Sequence, residues 1–485
     1  MELQFKKKAC PYVKTLVNQC REQELTQEIR LPDAMGDIGR VLGAWGQVII
    51  RGKEWRPDRV AVSGGVMAWV FYVPENENVP QMVETWLPFH EQWVIPETQH
   101  DGMITAMGSL TFCDARSVSA RKLMLRAGLA LDVQVYIPAE QMLYIPQDLP
   151  EHIQVRTLQQ PVLLPAEAGE KNFIMEEQIQ NPAQTGALQK ILRYDLTPSL
   201  LENRVSGSRV IFRGTANVHV VGLDGNGQIC SFDTEIPFSQ YTQLDRDYEE
   251  GTEAAVRIAV TNLELEPGDG QMLNMKAGLS GQYVIKQEVV TDVADDAYSP
   301  VADVQVQKSC AEFEVMKHQG NMTVSADRPG AVDGGSVADV AFLSGLPEIH
   351  SADGKLGMLL CGRFYVLYYD QAGQLQSMTQ RWEKDVQTEF GTDMHLRISV
   401  QPVASENLEV EYVCTQPEGL EMISAITVGE EKKAADRPAM VICRAGNMEL
   451  WDIAKENGST VAAIRDMNKL EGNPSPDQML LIPIL

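Results

Sequence analysis

The sequence predicts a mainly β protein: three repeated antiparallel β-sandwich or barrel-like domains, followed by a small C-terminal β-α-α-β domain. Three observations carry this expectation. A pattern of apolar run, glycine and second apolar run occurs three times. Within each copy, short runs alternate apolar and polar residues, the period of a half-buried strand. Residues 438–485 switch to helical spacing between two short extended runs.

The copies align on their glycines. Val60-Ala-Val-Ser-Gly64 leads into Val66–Tyr72, Val210-Ile-Phe-Arg-Gly214 into Thr215–Val220, and Met358-Leu-Leu-Cys-Gly362 into Arg363–Tyr369. Pro88-Phe89 follows Gly64, and Pro237-Phe238 follows Gly214 at nearly the same distance; the third copy has Asp385 and Val386 near that place. Gly251-Thr-Glu-Ala-Ala-Val-Arg-Ile-Ala-Val260 matches Gly391-Thr-Asp-Met-His-Leu-Arg-Ile-Ser-Val400, and Ala127-Gly-Leu129 matches Ala277-Gly-Leu279. Asp224-Gly-Asn-Gly227 and Asp370-Gln-Ala-Gly373 are hairpin turns in composition. No Lys-Ser/Thr pair and no helix follows the first of them, so it is no phosphate cradle.

The expected order is an N-terminal segment (1–29), a first β-domain (30–145), a linker with a helix at Glu170–Gln180 (146–189) and a second β-domain (190–288). An acidic linker with strands (289–340), a third β-domain (341–417), a hydrated tether (418–437) and the C-terminal module (438–485) follow. The net charge of −26 disfavours nucleic acid and anionic lipid. No apolar run reaches the 18 residues or so of a spanning helix, so membrane insertion is not expected. The N-terminal stretch lacks the apolar core of a signal peptide, which predicts a cytoplasmic protein. The eight cysteines have wide, irregular spacings and read as buried apolar thiols in a reducing compartment.

In the C-terminal module, Leu450, Ile453 and Ala454 share one helix face and Gly458 is a natural stop. Ser459 or Thr460 caps a second helix with Val461, Ile464 and Met467 on its apolar side. Met440–Cys443 and Met479–Pro483 are the flanking strands. Leu450-Trp451, Ile453-Ala454, Thr460-Val461, Asn468, Leu470, Gln478, Leu480 and Ile482-Pro483 together resemble a LysM domain. The resemblance implies binding of N-acetylglucosamine polymers, in a groove between the loop before the first helix and the loop before the last strand. The family's Gly-Asp-Thr/Ser is here Gly446-Asn447-Met448-Glu449, which replaces a hydroxyl with a thioether and a carboxylate.

The β-copies with their Pro-Phe turn, the stretch Lys190–Pro198 and the terminal module together resemble the SPOCS-domain spore-coat assembly proteins of spore-forming Firmicutes. That resemblance implies a non-enzymatic adaptor on the mother-cell side of the forespore surface. Its LysM end would bind an ATPase-like coat-morphogenesis scaffold protein; the alternative is a peptidoglycan-binding protein of wall or cortex. The expected binding groove comprises Asn447, Met448, Glu449, Trp451, Ile464, Met467 and Asn468.

Little else points to chemistry, and no cofactor is expected. None of the seven histidines has metal-ligand spacing; His219 and His395 read as structural or surface residues. A Cys113 pairing with His90 or His100 is the weaker alternative to a buried strand thiol. Asp292–Asp296 reads as a solvated acidic face. Trp55, Trp69, Trp86, Phe89 and Trp93 read as core, with a partner hot spot as the alternative. A deep polar cavity with converging titratable groups between residues 30 and 415 would contradict the adaptor reading.

Overall fold

The computed structural model describes residues 2–98, 101–147, 149–181, 188–269, 271–326, 329–330, 334–403, 407–432 and 438–485. It is mainly β, with two short helices near the C-terminal end. Strands β1 (Glu2–Gln4) and β2 (Lys6–Arg30) come first. Then β3 (Ile38–Arg56), β4 (Arg59–Pro74) and β5 (Gln81–Val94) form one sheet, while β6 (Met103–Ser119) and β7 (Lys122–Ile145) join β2 in a second, ordered β2-β7-β6.

The same scheme returns twice. In the second unit β8 (Gln154–Gln180) pairs with β12 (Met272–Tyr298), which also pairs with β11 (Glu253–Pro267); β9 (Lys190–Leu223) pairs with β10 (Ile229–Tyr248). β9 turns back on itself near Gly207, whose φ is +56°. Its two halves meet where Gly214 abuts the Ser199 carbonyl. In the third unit β14 (Ser336–Ser344), β15 (Glu348–Ala352), β16 (Lys355–Tyr369) and β17 (Leu375–Gly391) form one sheet. β13 (Ala302–Ser325), β18 (His395–Val403) and β19 (Asn407–Glu431) form the other, to which β1 also belongs.

Each unit is therefore closed by the segment that precedes it. β2, β8 and β13 are the long outer partners of β7, β12 and β19. This corrects the first expected linker and the tether: 154–180 is a sheet strand and the tether is strand as far as Glu431; in 289–340, expected as linker with strands, 289–298 continues β12 and 302–325 is one long sheet strand. The remainder of that tether, 433–437, lies outside the described residues. The helix expected at Glu170–Gln180 is also strand. Phe173, Met175 and Ile179 are buried while Ile174 and Glu176 are exposed, the period of two that a sheet imposes.

The recurring residues now have a physical reason. Gly64 stands opposite Phe89 in the β4–β5 register, and Gly214 opposite Phe238 between β9 and β10. Each ring lies over its glycine, closing the gap left by a missing side chain. In the third unit, which lacks the Pro-Phe pair, Phe342 covers Gly362 from the other neighbour, β14. Gly128 and Gly278 face Thr111 and Thr261, the extra residues of β-bulges at matching places in β6 and β11.

The units are not separate beads. One hydrophobic core runs through Trp45 and Trp69 of the first, Phe212 and Ile258 of the second, and Leu367 of the third. Polar contacts close the triangle. Gln282 of β12 donates to the Ala106 carbonyl at 2.9 Å and accepts from its N–H at 2.6 Å. Arg193 of β9 reaches Asp339 of β14 at 3.1 Å, and Arg40 of β3 donates to Gln376 of β17 at 2.6 Å. Asp132 of β7 receives both Arg257 of β11 and Arg397 of β18. β1 then pairs with Ala425–Thr427, tying the first unit to the third.

Trp69, Phe89 and Trp93 are buried, so this aromatic cluster is core. Half-buried Trp86 lies under the Arg51 guanidinium at 4.1 Å. All eight cysteines are free. Cys20 and Cys310 are exposed, which corrects the expectation that all are buried.

Candidate functional site

The C-terminal module is β20 (Met440–Arg444), α1 (Leu450–Glu456), α2 (Val461–Asn468) and β21 (Met479–Pro483), with β20 antiparallel to β21. Leu450, Ile453 and Ala454 turn inward from α1 and meet Ile464, Leu480 and Ile482. α1 ends at Gly458, in the left-handed region at φ +66°. There Ser459 N–H reaches back to the Ala454 carbonyl at 2.9 Å. Thr460 caps α2, its hydroxyl accepting from Ala463 N–H at 3.1 Å.

Two loops lie side by side at one end. Ala445 N–H donates to the Gln478 carbonyl and Gly446 N–H to the Pro476 carbonyl, each at 2.9 Å. The loop before α1 is thus tied to the loop before β21, with Asn447, Met448 and Glu449 exposed at its tip.

The expected groove residues divide into three groups. Asn447, Met448 and Glu449 stand together, and Met467 is exposed on α2. Ile464 is fully buried in the module core and presents nothing to a partner. Asn468 serves the fold: its amide donates to the Leu481 carbonyl at 2.6 Å and accepts from Leu481 N–H at 2.8 Å. It thereby acts as a strand partner for the outer edge of β21.

Trp451 faces inward to the body. Its indole Nε1–H donates to Asp296 at 2.8 Å, and its ring meets Tyr298 edge-on with centroids 4.9 Å apart. Lys455 donates to the same carboxylate at 2.7 Å, and Tyr298 donates to the Ser459 carbonyl at 3.0 Å. Arg156 grips Asp295, lies 5.8 Å above the Trp451 ring and stands 3.5 Å from Glu449. Burial pushes the Asp296 carboxyl up, but hydrogen bonds from Lys455 and Trp451 outweigh it and hold the group below its ordinary range. The end of the Asp292–Asp296 run is therefore a socket for the module, not a solvated face. Sequence reasoning missed Arg156, Asp296 and Tyr298; the signal within reach was an acidic run ending in Ala-Tyr rather than in glycine or lysine.

The body also holds a cavity of about 290 Å³ where the three units meet. Val48, Leu110, Ile258, Val260, Val340 and Phe364 form much of its wall. At one side titratable groups converge, but they are committed to each other. Arg193, nearly fully buried, pairs with Asp195 at 2.9 Å and Asp339 at 3.1 Å, and His219 bridges Asp233 and Asp339, each at 2.9 Å. Burial pushes the His219 imidazole down, yet the two carboxylates outweigh it and raise its pKa to about 10. This network clamps β9 to β14. Cys113 is fully buried, and burial raises its thiol pKa well above the ordinary range, far from a reactive thiolate. His90 pairs with Gln92 at 3.0 Å, and His100 lies outside the described residues. Among the described residues no His, Cys, Asp and Glu cluster could hold a metal ion, and no helix is long and apolar enough to cross a membrane.

Comparison with protein families finds two matches. Residues 187–267 match the SipL, SPOCS domain family, and residues 450–483 match the LysM domain family. The first covers β9, β10 and β11 of the second unit; the second covers α1 through β21. Comparison with curated proteins and with solved structures finds no match. The chain thus carries a match to the SPOCS domain in its second unit and a match to the LysM domain in its C-terminal module. Both matched domains are binding or structural types.

Proposed function

We propose that the chain is a non-enzymatic adaptor in spore-coat assembly. Its three-unit body presents the LysM module in a fixed pose, and the module docks on an ATPase-like coat-morphogenesis scaffold protein at the mother-cell side of the forespore surface. The observation that carries this reading is the socket at Asp296 and Tyr298. It takes up the Trp451 face of the module and leaves Asn447 and Met448 exposed, with Glu449 beside Arg156 at the rim. Asn447 and Met448, with Met467 on α2, supply the contact: an amide for polar matching and two flexible thioethers for an apolar partner surface. The SPOCS and LysM matches support a sporulation-related binding role. The cavity does not argue for turnover, because its charged groups are satisfied in pairs.

A second reading, binding of an N-acetylglucosamine polymer, is favoured by the LysM match itself. One experiment separates the two. The full chain and its Met448→Ala and Asn447→Ala variants are titrated against purified coat-morphogenesis ATPase and, in parallel, sedimented with insoluble peptidoglycan. The adaptor reading expects saturable binding to the ATPase that both variants weaken. Retention on peptidoglycan alone would replace it with the glycan reading.

A further inference from the structure

The exposed apolar surface is concentrated at one place. Among the described residues, seven of eighteen exposed large apolar side chains fall between Met440 and Leu485. Four of them share the outer face of the β20–β21 pair. Leu480 and Ile482 point inward and are fully buried against α1 and α2. Met440, Ile442, Met479 and Leu481 point outward and are 43%, 62%, 58% and 37% exposed. The register sets Ile442 opposite Leu481 and Arg444 opposite Met479. An antiparallel sheet with one solvated face normally carries polar residues there, so a bare apolar face indicates contact with something else.

We propose that this face is the self-association surface of the chain, closed by the same face of a second copy about a two-fold axis. Charge argues for a second copy. Arg444 and Asp477, both largely exposed, form an ion pair beside the apolar patch. Equal and opposite charges at one end of an apolar face are self-complementary under a two-fold rotation about an axis that runs along the strands: Arg444 of each copy meets Asp477 of the other. The rest of the molecule opposes self-contact, because the chain carries −26 in all. Residues 437–485, with five basic and six acidic side chains, are close to neutral and are the place where two copies approach without that penalty. The face shares no residue with the Asn447–Glu449 loop, so self-association leaves partner docking open. Four side chains make a small interface, below roughly 1,200 Å² in total, which fits a reversible dimer with Kd on the order of 10 μM. A dimer of this kind is an adaptor with two docking heads, and it binds an array of partners with avidity.

The test is sedimentation equilibrium of the full chain from about 1 to 200 μM, a span that brackets the expected Kd. The wild type should pass from monomer to dimer. Ile442→Glu and Met479→Lys should each weaken the dimer by about tenfold or more, with circular dichroism confirming that both variants stay folded. Arg444→Glu and Asp477→Arg should each weaken it alone, yet an equimolar mixture of the two variants should dimerise again. In the mixture opposite charges meet only between copies, since within each copy they now repel. A wild type that stays monomeric overturns the proposal. So does a dimer indifferent to Ile442→Glu and Met479→Lys, or a mixture that fails to recover.

Discussion

Phe238 faces Gly214 across the β9–β10 register, and its ring occupies the space a side chain on Gly214 would need. A Cβ there would lie 2.6 Å from the ring and 2.1 Å from the Ser199 carbonyl oxygen. The carbonyl belongs to the backbone of a paired strand and cannot yield. Gly214→Ala should therefore cost about 2–3 kcal/mol, and Phe238→Ala about 3–5 kcal/mol. Urea denaturation of the full chain measures both. A neutral Gly214→Ala would show that the close approach is not a constraint.

Asp132 is shared by two arginines from the other two units, Arg257 at 2.7 Å and Arg397. Burial depresses the pKa of both guanidinium groups, that of Arg397 to about 10, which marks them as poorly hydrated cations for which Asp132 is a shared counter-charge. Asp132→Asn leaves two poorly hydrated cations facing an amide. The expected loss is about 2–4 kcal/mol, and it should be mostly recovered when both arginines are replaced by methionine. Denaturation of the single and triple variants measures this.

The His219 bridge makes stability depend on pH in a defined direction. Its folded pKa, about 10, lies above the ordinary value of 6.5. Its contribution is therefore complete below about pH 6.5 and is lost as pH rises through about 10. Comparing wild type with His219→Gln at pH 6 and pH 10 isolates the effect from other groups. The wild-type advantage should be on the order of 4–5 kcal/mol at pH 6 and should shrink steeply by pH 10. An advantage that is flat or grows with pH would show that the imidazole is not held protonated.

Trp451→Phe keeps a ring against Tyr298 but deletes the donor to Asp296. The expected loss is about 1–2 kcal/mol, confined to the seam between module and body. Hydrogen exchange should quicken in α1 and at Ala297 and Tyr298, while the glycine-centred sheets stay protected. Unchanged exchange along this seam would mean that the module is held by other contacts.

Much of this was legible in advance because it is local. The triple glycine pattern, the Pro-Phe spacing and the alternation around Val256–Val260 each follow from pairs that face one another across a strand. The module was legible to the level of its caps, since Thr460 and Gly458 act within one helical turn. The partners of the outer strands were not. Nothing in 154–180 says that it pairs with 272–298, more than 90 residues away, and an acidic or alanine-rich strand reads as linker when its partner is unknown. Trp451 failed for a similar reason. Its socket at Asp296 and Tyr298 lies about 150 residues upstream, and the sequence carries no sign that these residues meet.

The outer strands β2, β8 and β13 also decide how the molecule can be cut. A fragment that starts at the SPOCS match, residue 187, lacks β8 and leaves the whole length of β12 with a bare edge. Such a piece is apt to clump or be degraded. Deletion phenotypes obtained with cuts of that kind would report misfolding rather than the loss of one binding activity. Fragment boundaries placed near residues 150 and 300 keep every sheet whole except the one in which β1 pairs with β19.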